Sequence, residues 1–139
     1  MYSRILVAND GSPGGQKALS GAIELARKLS AELHMVTVEE LPRFPASIDE
    51  IAEEKDEANH RFAPVIEAAK VEAKRAGAAI ETHLVPGHVI DGVIGLIKQL
   101  NADLLVVGFM GHSQLYERII GGTTDRLVRL APCAVLVVK

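Results

Sequence analysis

A chain of 139 residues, 48% apolar and 24% charged with a mean hydropathy of +0.19, is long enough to bury a core and fits one domain spanning residues 1–139. A formal charge of −3 leaves no basic footprint for holding DNA or RNA, and no apolar run reaches bilayer length, so neither nucleic acid nor a membrane is expected as a partner. Met1-Tyr2-Ser3-Arg4 lacks the apolar core and cleavage site of a secretory signal, and the single cysteine, Cys133, cannot close an internal disulfide; both point to the cytoplasm.

The first strand is predicted at Ile5 to Asn9, followed by Asp10-Gly11-Ser12-Pro13. Ser12 suits the cap of a helix and Pro13 its first position, because proline has no N–H to lose there. Ala18, Leu19, Ala22, Ile23, Ala26 and Leu29 recur at helical spacing and give that helix one apolar face. Leu33 to Val38 is the second strand, and Glu39 to Ser47, with Pro42 and Pro45, is a loop. Ile48 to Ala76 is rich in Ala, Glu and Lys and is broken by Pro64, which predicts two helices or one kinked helix. Its acidic stretch Glu53-Glu54-Lys55-Asp56-Glu57 reads as a solvated face.

Gly77 stops that segment, and Ile80 to Val85 alternates as a third strand, with Pro86-Gly87 as a turn. Val89, Ile90, Val93, Ile94 and Ile97 mark the third helix despite Gly92 and Gly95, each costing about 1 kcal/mol relative to alanine. Asp103 to Val107 is the fourth strand, Asp125 to Ala131 the core of the fourth helix, and Ala134 to Val138 the fifth strand. Strands joined by helices make a parallel sheet covered on both faces, which binds ligands beyond the carboxyl ends of its strands. Asp10 and Gly108 both fall at such ends.

Gly108-Phe109-Met110-Gly111 follows the fourth strand, and Gly121-Gly122-Thr123-Thr124 follows nine residues later, just before the fourth helix. Glycines at a strand-to-helix crossing let backbone N–H groups approach a phosphate, and the helix N-terminus favours its negative charge. A nucleotide phosphate is the leading ligand, although one glycine pair alone would signify no more than a tight turn.

This Gly-x2-Gly-x9-Gly ladder, the opening Ile5-Leu6-Val7-Ala8-Asn9-Asp10-Gly11-Ser12, the pair Ala102-Asp103 leading into Leu104 to Gly108, and the ending Ala131-Pro132-Cys133-Ala134-Val135-Leu136-Val137-Val138 together resemble the universal stress protein family. The resemblance covers the whole chain and points to the branch whose glycine ladder binds ATP. It implies a single doubly wound α/β domain of the adenine nucleotide alpha hydrolase-like kind. The implied sheet has five parallel strands in the order 3-2-1-4-5, with helices on both faces and a homodimer joined through the last strand. Carried over by position, it implies that Ala8, Asn9 and Asp10 contact the nucleoside, with Asp10 reaching the ribose or a nucleotide-bound Mg²⁺. Val38 would pair its backbone with the adenine edge. Val107, Gly108 and Gly111 would open the phosphate loop, and Gly121, Gly122, Thr123 and Thr124 would close it. Two positions depart from the family pattern: Gly122 replaces a serine hydroxyl, and Met110 replaces a basic side chain. Thr123, Thr124 or Arg118 could compensate.

Local chemistry offers alternatives at several of these positions. Asp10 could be a turn residue making an Asx bond, and Thr124 only the cap of the last helix. Ser12 fits a cap better than a ligand. Among the five histidines, His34, His60, His83, His88 and His112, no pair has the i, i+4 spacing of a helical metal site, which argues against zinc; His34 and His83 are expected to point outward from strands. His112 follows Gly111, where its ring could touch a phosphate or base or simply stand in a loop. Cys133 fits an inert apolar residue. No Walker sequence and no nucleophile, base and orienting set is visible, so binding is favoured over turnover. Three functions remain: a nucleotide-dependent stress regulator acting on a protein partner, a weak ATPase or phosphotransferase using Asp10 and Mg²⁺, and an interaction module with a vestigial nucleotide site. The apolar fifth strand, unpaired in a monomer, independently favours pairing with a second copy.

Overall fold

The computed structural model describes residues 1–40, 48–109 and 122–139. The expected loop beyond residue 40, together with Met110, Gly111, His112, Arg118 and Gly121, lies outside the described residues. In chain order the elements are β1 (Arg4–Ala8), α1 (Pro13–Leu29), β2 (Glu32–Glu40), α2 (Ile48–Arg75), β3 (Glu81–Gly87), α3 (Val89–Leu100), β4 (Leu104–Gly108), α4 (Gly122–Leu130) and β5 (Ala134–Val138). The strands form one parallel sheet in the order β3-β2-β1-β4-β5.

Strand alternation sorts the core into two layers. Ile5, Val7, Leu33, Met35, Leu104 and Val106 face α1 and α2, meeting Leu19, Ala22, Ile23, Ala69 and Ala73. Leu6, Val36, Leu105 and Val107 face the other way, onto Val93, Leu96 and Ile97 of α3 and Leu127 of α4. Helices therefore cover both faces of the sheet. Among the described residues no helix is long and apolar enough to cross a membrane.

The chain forms these elements for local reasons. Ser12 caps α1, its Oγ accepting from the Gly15 N–H at 3.1 Å, and Pro13 takes the first helical position. Ser30 and Asn101 end α1 and α3 in the left-handed conformation. Pro64 lies inside a single α2, on its exposed side, where the hydrogen bond it cannot make falls toward solvent.

Three expectations need correction. Pro86 and Gly87 are not a turn: they complete β3, in register with Glu39 and Glu40. Proline is tolerated because β3 is an edge strand. α4 starts at Gly122 rather than Asp125, so Thr123 and Thr124 are already helical. His34 does not point outward: it is 2% exposed and shares a sheet face with Leu6, because the neighbouring strands and α3 cover that side. His83 stacks on it, ring centroids 5.3 Å apart, and burial holds the His83 pKa below the ordinary imidazole value.

At the amino end of the central strands, Asp103 clamps β1 to β4. Its carboxylate accepts from the backbone N–H groups of Ser3 and Arg4, both at 2.9 Å, and from Ser3 Oγ at 3.1 Å, while its own N–H donates to the Arg4 carbonyl. The Ser3 backbone bond is the main cause of a lowered Asp103 pKa, offset in part by burial. A lowered carboxyl pKa stabilises the fold fully above the unfolded-state value and loses that contribution as pH falls through the native one. Asp103→Asn is expected to cost about 1 kcal/mol at pH 7, the charge-assisted bonds being discounted for solvent exposure. The difference in melting temperature between the two proteins should shrink once the pH drops below the ordinary aspartate range.

Candidate functional site

The winding reverses between β1 and β4. The chain leaves β1 for α1 on one face, and α4, which follows β4, lies on the other. A crevice is expected where adjacent strands send their continuations to opposite faces. The ends of β1 and β4 bring Ala8, Asn9, Asp10, Val107 and Gly108 to this one edge.

Asn9 is 2% exposed and works within the fold. Its backbone N–H donates to the Val36 carbonyl at 3.0 Å, its carbonyl accepts from Thr37 Oγ1 at 2.8 Å, and its side-chain oxygen accepts from the Gly11 N–H at 3.0 Å. Asp10 Oδ1 accepts from the Ser12 N–H at 3.0 Å, the Asx turn weighed from the sequence. Gly11 needs its positive φ of +86°, and a Cβ there would sit 2.7 Å from Val65 of α2, which roofs this turn.

Val38 follows from the backbone pattern. The β1 ladder ends at the Ala8–Val36 pair, whereas β2 runs on to Glu40 paired with β3. The Val36 carbonyl points at β1, since it accepts from Asn9. Parallel strands alternate the side on which successive residues bond, so Val38 turns its N–H and C=O the same way, past the end of β1 and into the crevice. Glu39, expected in a loop, is 6% exposed in β2; its charge, and the prolines that follow at Pro42 and Pro45, hid its burial.

Glycine has unequal roles along the ladder. A Cβ on Gly108 would lie 2.5 Å from the Gly14 carbonyl oxygen, so this glycine is required for β4 to meet the start of α1. A Cβ on Gly122 meets nothing within 4 Å among the described atoms. Thr124 is 8% exposed and donates its hydroxyl proton to the Gly108 carbonyl at 2.8 Å, fastening α4 to the end of β4 instead of capping the helix. Thr123 and Gly122 are exposed beside it. The described residues thus place Ala8, Asn9, Asp10, Val38, Val107, Gly108, Gly122, Thr123 and Thr124 along the carboxyl edge of the sheet. Gly111, His112 and Gly121 fall outside them. Cys133 lies elsewhere, before β5, and burial pushes its thiol pKa up, which keeps it protonated and unreactive.

A base can bind its edge to the Val38 backbone turned past the end of β1, and a phosphate suits the N-terminal end of α4, so the donor set fits an adenine nucleotide better at its base than at its phosphates, where Gly122 brings no hydroxyl. The family model described as the universal stress protein family matches residues 1–139. Universal stress protein YxiE of Bacillus subtilis is 30% identical, with both chains covered in full. The solved universal stress protein UspA of Lactobacillus plantarum superposes with a TM-score of 0.85 at 26% identity, over 99% of this chain and 98% of that one. A universal stress protein solved in complex with cAMP superposes with a TM-score of 0.79 at 28% identity, over 99% and 97%.

The two glycines should respond oppositely to a side chain. Gly108→Ala is expected to lose about 2 kcal/mol or more through backbone overpacking, whereas Gly122→Ser should stay within about 0.5 kcal/mol of the parent, both read from denaturant midpoints.

Proposed function

The chain belongs to the universal stress protein family, and on that premise we propose that it is a cytoplasmic regulator that binds an adenine nucleotide, foremost ATP, in the crevice between β1 and β4. The observation that carries this is the backbone of Val38, which turns its N–H and C=O beyond the end of β1, where an adenine edge can take the place of the missing strand. The relative solved with cAMP supports the nucleotide class. In this reading Asp10 contacts the ribose or a nucleotide-bound Mg²⁺. Asn9 and Ala8 shape the pocket floor through the backbone, and Gly108, Gly111, His112, Gly121, Gly122 and Thr123 surround the phosphates, with Thr124 contributing from the helix start. The segment between Gly108 and Gly122 carries the effect of the nucleotide to a protein partner, so binding rather than turnover is the function.

Calorimetry with ATP, AMP and cAMP tests this. ATP should bind with micromolar affinity, Asp10→Ala should weaken it at least tenfold, and Gly122→Ser should strengthen ATP more than AMP by restoring a hydroxyl near the outer phosphates. No saturable heat with any adenine nucleotide at millimolar concentration overturns the proposal.

The same reading includes a homodimer through β5. That strand is a sheet edge, and Leu136 on it is 41% exposed. Light scattering should give twice the 14.9 kDa chain mass, and Leu136→Asp should give the single mass with nucleotide affinity retained.

A further inference from the structure

At the amino ends of β2 and β3, opposite to the nucleotide crevice, three side chains converge from strands that are distant in sequence. His34 Nδ1 lies 3.0 Å from His83 Nε2 and 3.5 Å from Glu81 Oε2, and the ligand-capable atoms of all three lie within 4.8 Å of one another. The register explains the grouping: His34 pairs directly with Glu81, and His83 sits two residues further along the same face of β3.

We propose that His34, His83 and Glu81 form a binding site for a divalent transition metal, zinc above all, independent of the nucleotide site. Tetrahedral zinc with ligands at 2.0–2.1 Å sets its donor atoms about 3.3 Å apart, and the 3.0 and 3.5 Å separations from His34 Nδ1 bracket that value. Two imidazoles and one carboxylate are a nitrogen-rich set that suits zinc, copper or nickel and offers too few oxygens for calcium or magnesium. The fourth position is left to water, because the Glu81 side chain is 66% exposed and the site opens at the sheet edge.

The outer partners are arranged as a histidine ligand needs. Glu32 Oε1 lies 3.0 Å from His34 Nε2 and accepts its proton, which leaves Nδ1 with a lone pair aimed at the cluster. Glu32 is held in turn by Arg4, whose Nε donates to Oε2 at 2.7 Å and whose Nη1 donates to the Leu100 carbonyl at the end of α3. Burial of His34 at 2% exposure fixes its ring before any ion arrives, so little ordering remains to oppose binding. Without metal, the short contact between the imidazoles is a hydrogen bond donated by His83 to His34 Nδ1; on binding, zinc takes that position and the neutral His83 ring changes tautomer, its proton passing by way of solvent from Nε2 to Nδ1.

The test is a zinc titration of the full chain, free of any affinity tag and dialysed against a chelator, in a buffer that does not coordinate metals. One equivalent should bind with a micromolar or tighter dissociation constant, and magnesium should give no response. His83→Gln and Glu81→Gln, both at the accessible edge, should each weaken zinc at least tenfold with an unchanged circular dichroism spectrum. Glu32→Gln should weaken it about tenfold through the loosened His34 ring. Cobalt substituted at the site should show the visible bands of four-coordination, and these bands should vanish in His83→Gln. Absence of saturable zinc binding below about 100 µM, or zinc binding unaltered in His83→Gln, overturns the proposal.

Discussion

The structure depends on β1 being paired on both sides and covered on both faces. Ile5, Leu6 and Val7 are fully buried, and each contributes about 1.5–3 kcal/mol on leaving water. A strand in that position has neighbours whose connections must go to opposite faces, because parallel crossovers keep one hand. α1 on one face and α4 on the other are the outcome, and the crevice is what their divergence leaves open.

The floor of that crevice is fastened by bonds between elements. Thr37 reaches the Asn9 carbonyl across β2 and β1, and Thr124 reaches the Gly108 carbonyl across α4 and β4. Gly108 lies against Gly14 with no room for a methyl group. Each strand end is therefore held by a neighbouring element, and the backbone of the carboxyl edge is fixed by contacts within the fold. The amino edge is fastened differently, by the Asp103 carboxylate and by the Arg4 and Glu32 pair. The opposite ends of the same strands thus carry independent chemistry: backbone groups and helix starts at one end, imidazoles and carboxylates at the other.

Much of this is legible in the sequence. Apolar runs, capping residues and breakers located the strands and helices of the described residues, with one helix or two left open for residues 48–76, and the order of the strands followed from the resemblance. Misplaced boundaries share a cause, since local residue preference cannot see tertiary position. Pro86 looks like a turn until β3 is known to be an edge, and Thr124 looks like a cap until Gly108 is known to lie beside it. The glycine ladder was read as access for phosphate, but Gly108 is first a packing requirement. His34 and His83 are 49 residues apart, and only the register of β2 on β3 brings their rings together. Spacing along one helix cannot report a cluster built across two strands.

Pro86 has one more consequence. Opposite Glu39, whose backbone bonds toward β3, it turns its ring nitrogen outward, and an incoming strand finds no donor there. The sheet thus has two unlike margins, one interrupted by proline and one, β5, with an uninterrupted row of donors and acceptors in Ala134 to Val138. Strand-by-strand growth needs two receptive margins on each copy. A chain with one such margin can extend its sheet once, around a twofold axis, after which no compatible edge remains; the fold itself favours closure over filaments.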